Sequence, residues 1–192
     1  MPSDQFNVVT SKFSNVIPSR AATWKDSYYW GCLDIFIEII TWDWLKEKYP
    51  GLSVRFKTTP DLVAEDEGRV VRAAAECKNF HTSDRERQRW EKDNSISGSI
   101  TLDEDTMPDD ISRNPFLKKV RSTLDNAKGQ LGKTGLTNNM FISLNFVLDT
   151  PYWTPPLKPY VERLIRDESK KLSATGITLL AFEGYDFNRT LT

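Results

Sequence analysis

Histidine occurs once and cysteine twice in the 192 residues. The two cysteines, Cys32 and Cys77, lie far apart and form no CxxC pair, which argues against a structural zinc or iron–sulfur site and against a disulfide framework. No run approaches the roughly 20 apolar residues that a membrane span requires. The N-terminal stretch MPSDQFNVVTSKFSNV lacks the basic and apolar regions of a signal peptide. The expected setting is intracellular: cytoplasmic, or nuclear in a eukaryotic or viral context, with no membrane partner. An excess of charge of one sign is also missing, since the net charge is −1, so the whole-molecule basic balance of many nucleic-acid binders is absent. There is no internal repeat and no low-complexity tract. What remains is the composition of a globular chain, and its length suits one domain over 1–192.

Charge is distributed unevenly within that near-neutral total. From His81 to Arg113 the chain is acid-rich, whereas the next segment carries Lys118, Lys119, Arg121, Lys128 and Lys133 against Asp125. A local basic face is compatible with this pattern.

Hydrophobic periodicity gives the order of elements. Trp24 to Lys48 reads as a long helix stopped by Tyr49-Pro50-Gly51. It is apolar nearly all round, except for one stripe of Gly31, Asp34, Glu38 and Thr41 at spacings of three and four. Three strand-like runs follow, Ser53 to Thr58, Leu62 to Glu65 and Arg69 to Phe80. Asp66-Glu67-Gly68 supplies a turn that makes the second and third an antiparallel hairpin. The stretch at about 82–114 reads as a polar insertion or loop. After it come a helix from Pro115 to about Leu131, a strand from Asn139 to Leu148, a helix beginning near Pro156 and ending by Gly176, and a strand from Ile177 to Phe182. This order predicts an α/β fold, a three-layer sandwich with a mixed central β-sheet flanked by helices.

The chemistry concentrates on the hairpin. Side chains two apart on a strand share a face, so Glu76 and Lys78 project together, and the hairpin brings Asp61 beside them. Two carboxylates beside an ammonium suit a hard divalent cation, which takes one or two protein carboxylates and completes its shell with water and phosphate oxygens. The same letters recur as Glu168-Ser169-Lys170 and Pro108-Asp109. Glu168 and Lys170 fall on a helix, where residues two apart diverge by roughly 200° and cannot share a site. Structural context therefore selects Glu76 and Lys78.

Pro60-Asp61, the spacing to Glu76-Cys77-Lys78, the intervening hairpin and the flanking helices resemble the PD-(D/E)XK, or restriction-endonuclease-like, nuclease superfamily. The match in element order spans about Trp24 to Phe182. The resemblance implies a metal-dependent phosphodiester hydrolase in which Asp61 and Glu76 hold one or two Mg²⁺ or Mn²⁺ ions. It further implies that Lys78 orients or activates the attacking water and that Cys77 lends its backbone carbonyl to the metal. Glu38 is the candidate for an additional acidic ligand from the N-terminal helix, with Asp34 second, and Gln130 or Lys128 for a supporting residue on the helix after the hairpin. The chain departs from the iron–sulfur members in lacking their cysteines, and from the RecB-like group in carrying Thr134 where a Tyr would stand. It also lacks the N-terminal His of many viral cap-snatching enzymes.

The resemblance implies nucleic acid as the partner, DNA ahead of RNA because most members of that superfamily cut DNA, bound by a monomer or homodimer. Two alternatives carry other consequences: an RNA endonuclease of the viral cap-snatching type, and a catalytically inactive nucleic-acid-binding module of the same fold. His81 could serve as a base just past the motif strand, but a loop residue is the favoured reading, since Lys78 already serves the water. Trp24, Tyr28, Tyr29 and Trp30 could stack on bases, but aromatics at a helix start usually pack.

Overall fold

Apolar side chains at 117, 120, 124, 127 and 131 recur at alternating steps of three and four, which sets one side of a helix against a core. In the computed structural model this segment is a helix whose Leu117, Val120, Leu124, Ala127 and Leu131 are all buried. The structure describes residues 3–16, 27–80, 115–146, 158–183 and 186–190. In chain order the elements are α1 (Ser3–Val16), α2 (Ser27–Lys48), β1 (Ser53–Phe56), β2 (Leu62–Glu65), β3 (Val71–Phe80), α3 (Pro115–Gly132), β4 (Met140–Phe146), α4 (Lys158–Ser173), β5 (Ile177–Glu183) and β6 (Asp186–Thr190).

The six strands form one sheet in the order β1-β2-β3-β4-β5-β6. β1, β2 and β3 run antiparallel, β3, β4 and β5 run parallel, and β6 returns antiparallel to β5. Parallel neighbours require a crossover, and α3 and α4 supply the two. Both lie on one face of the sheet, where their apolar stripes meet Ala74, Ile142, Leu144, Phe146 and Leu179. On the opposite face α1 and α2 cover Ala73, Ala75, Cys77 and Phe141. The architecture is an α/β sandwich of helices, mixed sheet and helices.

Several boundaries differ from the sequence expectation. The strand expected to be last is followed by a further strand, β6, and α1 was not anticipated at all. The N-terminal segment is rich in polar residues and leaves Phe6 61% exposed, so its helical signal is faint. It is fixed by specific contacts instead. The Gln5 side chain accepts a hydrogen bond from the Phe56 backbone N–H at 2.9 Å, which satisfies a donor on the edge strand β1. The polar stretch at 82–114, with His81 just before it, lies outside the described residues, as do Trp24 and the end of the predicted strand at Val147 and Leu148. Among the described residues no helix is long and apolar enough to cross a membrane.

α2 is less uniformly buried than its composition suggests. Ile35, Ile37, Trp42 and Leu45 are buried, while Phe36 is 41% exposed. Its polar stripe faces two ways, since Asp34 is exposed and Thr41 is buried against the sheet.

Candidate functional site

β2 ends its pairing with β3 at Leu62 opposite Ala75, so the next rung of the ladder has no strand partner on that side. The Asp61 side chain takes that place. Its Oδ2 accepts the Cys77 backbone N–H at 2.8 Å. In return the Asp61 N–H donates to Glu76 Oε2 at 3.3 Å. Lys78 completes the group by an ion pair with Glu76 Oε1. The hairpin thus brings together Asp61, Glu76 and Lys78, as the spacing predicts.

Glu76 is 1% exposed, and a buried carboxylate costs several kcal/mol unless it is paired and hydrogen-bonded. Lys78 and the Asp61 N–H meet that requirement. Burial pushes the Glu76 carboxyl above its ordinary pKa, the Lys78 hydrogen bond opposes this, and the negative charge of Asp61 adds to the rise. For Lys78 burial acts to lower the pKa, but the hydrogen bond to Glu76 and the charges of Glu76 and Asp61 overcome it, so the net shift is upward. Lys78 is therefore held as an ammonium. It can donate and orient, and it is poorly placed to remove a proton.

Cys77 faces the other side of the sheet, among Ala73, Ala75 and α2. Burial drives its thiol well above the ordinary range. The residue contributes its backbone to the site and its side chain to the core.

Glu38 approaches from α2. Its carboxylate pairs with Lys12 of α1, a partner that the sequence pattern does not supply because α1 itself was not expected. Burial raises the Glu38 pKa to about 6, with Lys12 pulling it down and Asp61 and Asp34 pushing it further up. The influence of Asp61 places Glu38 within electrostatic reach of the hairpin group. Asp34, one turn away, is exposed. Two further contacts of buried polar side chains lie nearby: the Thr41 hydroxyl of α2 donates to Ser143 of β4 at 2.9 Å, and Asn145 of β4 donates to Asn79 of β3 at 3.0 Å.

The two supporting candidates on α3 separate. Gln130 lines a groove of about 590 Å³ together with Lys78, Thr123, Asp125, Asn126, Gly129 and Lys133. Lys128 is exposed and is not brought to the hairpin group. Glu168, excluded above, pairs with Lys171, three residues on, at 2.7 Å, as helical geometry requires.

Among the described residues, no three His, Cys, Asp or Glu side chains form a group able to hold a metal ion. The oxygen atoms that could face a hard cation are those of the two adjacent carboxylates, Asp61 and Glu76, with the Cys77 backbone alongside. No family model matches the chain, and no curated protein or solved structure is similar enough to match it.

The Glu38 shift has a consequence for stability. Its folded pKa of about 6 exceeds the ordinary 4.5, so between those values the folded state binds more protons than the unfolded state. The stability is fully present below pH 4.5 and is lost as the pH rises through 6. At 1.36 kcal/mol per unit the loss is about 2 kcal/mol. Urea unfolding in EDTA between pH 4 and 7.5 should show this decline in the wild type, with Glu38→Gln falling less by that amount. Parallel curves for the two proteins would mean that Glu38 titrates normally.

Proposed function

We propose that the chain is a Mg²⁺- or Mn²⁺-dependent nuclease of the PD-(D/E)XK type, hydrolysing phosphodiester bonds and acting on DNA ahead of RNA. The observation that carries this reading is the hydrogen-bonded group of Asp61, Glu76 and Lys78 at the end of the β2–β3 hairpin. The α/β sandwich agrees with the restriction-endonuclease-like class, which is itself part of the proposal.

The donor set fits a hard divalent cation, since it offers carboxylate oxygens and a backbone carbonyl and no thiolate or imidazole. Asp61 raises the pKa of Glu76, and this mutual repulsion is what a cation between them would relieve. A divalent ion bound there supplies positive charge against the scissile phosphate and acidifies a water. Asp61 and Glu76 would hold it, with the Cys77 carbonyl, and Glu38 would join on release from Lys12.

Lys78 acts from the groove side. Its ammonium, fixed by Glu76, can donate to the attacking water or to a non-bridging phosphate oxygen, which sets the line of approach. Gln130 stands across the same groove and can hydrogen-bond the phosphate or the water through its amide. Burial of Glu76 beside Ala74 and Ile142 keeps bulk water from one side of the group and strengthens the electrostatic interactions there.

A melting experiment tests the metal centre independently of turnover. An ion that binds only the folded state adds roughly 2.7 kcal/mol at 100 times its dissociation constant, which raises Tm by about 5–10 °C in a domain of this size. Mn²⁺ should produce this rise in the wild type, and Asp61→Asn should lose most of it at matched ionic strength. An equal rise in both proteins would put the ion elsewhere.

A further inference from the structure

We propose that the polar stripe of α3, from Lys119 through Thr123 and Asn126 to Gln130, together with Lys133 in the turn just beyond the helix, is the seat of the sugar–phosphate backbone of one substrate DNA strand, with Asn126 and Lys133 as positioning residues. This rests on the nuclease reading and specifies which element receives the strand. The stripe follows from spacing: positions 119, 123, 126 and 130 advance by four, three and four, so they lie along one side of the helix, and Lys133 in the turn that follows lines the same groove as Gln130. It is separate from the core stripe of Leu117, Val120, Leu124, Ala127 and Leu131.

Three observations converge on this stripe. Thr123, Asn126, Gln130 and Lys133 line the same groove as Lys78, so a phosphate near Lys78 leaves its neighbours along α3. The stripe contains hydrogen-bonding and cationic side chains and no carboxylate, whereas Asp125, the one acid of the helix, enters the groove from an adjacent position. Finally, the chain has net charge −1, yet residues 115–133 carry five cations, Lys118, Lys119, Arg121, Lys128 and Lys133, against that single acid. Cations at both ends of a row of neutral donors suit a polyanion running along the helix. At 1.5 Å per residue Lys119 and Gln130 stand about 17 Å apart along the helix axis, long enough to follow a strand over several phosphates, and Lys133 lies in the turn beyond them. Neutral amides and hydroxyls between them can donate to phosphate oxygens without a charge of their own, which positions the strand without reading its bases.

The test compares Lys133→Gln, Lys119→Gln and Asn126→Ala with Lys128→Gln. The last removes the same charge from the same helix but two residues from Gln130, on the far side. Binding of a fluorescein-labelled single-stranded DNA oligonucleotide is followed by anisotropy in EDTA over a range of salt, with cleavage measured separately in Mn²⁺ and folding by Tm. Each of the two stripe lysines should lower the slope of log K against log salt by about 0.7, the contribution of one neutralised phosphate on a single strand. Asn126→Ala should weaken binding about fivefold with no change in slope, as expected for loss of one neutral hydrogen bond, and Lys128→Gln should match the wild type.

If Lys128→Gln and Lys133→Gln behave alike, the stripe has no special role and the proposal falls, whether or not the protein cuts. If the wild type binds through the stripe but does not cut in Mn²⁺, the seat stands and the nuclease reading falls. Cleavage with unchanged binding in all four variants leaves the nuclease reading and removes the seat. An RNA oligonucleotide of the same sequence, bound more tightly than the DNA, overturns the assignment to DNA.

Discussion

Asp61→Ala and Lys78→Gln should each reduce phosphodiester cleavage in Mg²⁺ or Mn²⁺ by at least about a hundredfold, the usual scale for loss of a group that positions or protonates at the reacting centre. Both proteins should still melt cooperatively. Asp61 is only half-buried, and its removal deletes one charge-assisted hydrogen bond to the Cys77 N–H, a cost of about 2 kcal/mol. Glutamine is the better test at position 78 because the Glu76 carboxylate is buried and paired with Lys78. Alanine there would strand that charge, a loss of about 3–5 kcal/mol unless the carboxyl takes up a proton. Glutamine leaves a donor in its place, so an effect on rate can be read apart from an effect on folding. Plasmid, single-stranded DNA and RNA incubated with metal or EDTA give the readout. Cleavage at the wild-type rate by either folded variant removes the residue from the site. A wild type that cuts none of the three substrates with either metal removes the nuclease reading itself.

The hairpin group was legible in the sequence because every step rested on local geometry. The turn at Asp66-Glu67-Gly68 fixed which strands pair, and the two-residue period then put Glu76 and Lys78 on one face while sending Cys77 into the core. The same logic rejected Glu168 and Lys170, and Glu168 indeed pairs with Lys171. α3 was equally plain, since its buried positions recur without a break. Contacts between distant elements were not legible. Lys12 meets Glu38 across 26 positions, and Thr41 meets Ser143 across 102. Neither pair leaves a periodic trace. α1 was missed for a related reason: it docks through buried Val9, partly buried Val8 and Phe13, and specific polar ties such as Gln5 to Phe56, rather than through a long apolar stripe. Of the supporting candidates, Gln130 and Lys128 stand two residues apart and so face opposite sides of the helix, but which side meets the site is decided only by the position of Lys78 in the groove.

Gly176→Ala should be among the most destabilising single substitutions in the chain, costing more than about 3 kcal/mol, because two penalties meet there. Gly176 has φ of +75°, a left-handed conformation that costs a residue with a Cβ roughly 1–2 kcal/mol. A Cβ at that point would also lie 2.0 Å from the Thr137 carbonyl oxygen and 2.9 Å from its carbon. Those are backbone atoms, so the contact cannot be relieved by turning a side chain. The segment that must move leads directly into β4, whose Met140 N–H donates to the Gly176 carbonyl at 3.4 Å. The next link reaches the site, since Asn139 accepts the Ala74 N–H at 3.1 Å and Ala74 stands two residues before Glu76 on β3. Displacement of this corner would therefore disturb the strand that carries Glu76 and Lys78. Gly135 provides the control. Its φ is +72°, yet a Cβ there meets nothing within 4 Å, so Gly135→Ala should cost only the conformational part, about 1 kcal/mol. Urea unfolding of the two variants side by side separates strain from collision. Equal losses at positions 135 and 176 would show that the close approach of Gly176 to Thr137 contributes nothing, and that the corner holding β4 against β5 is looser than its geometry implies.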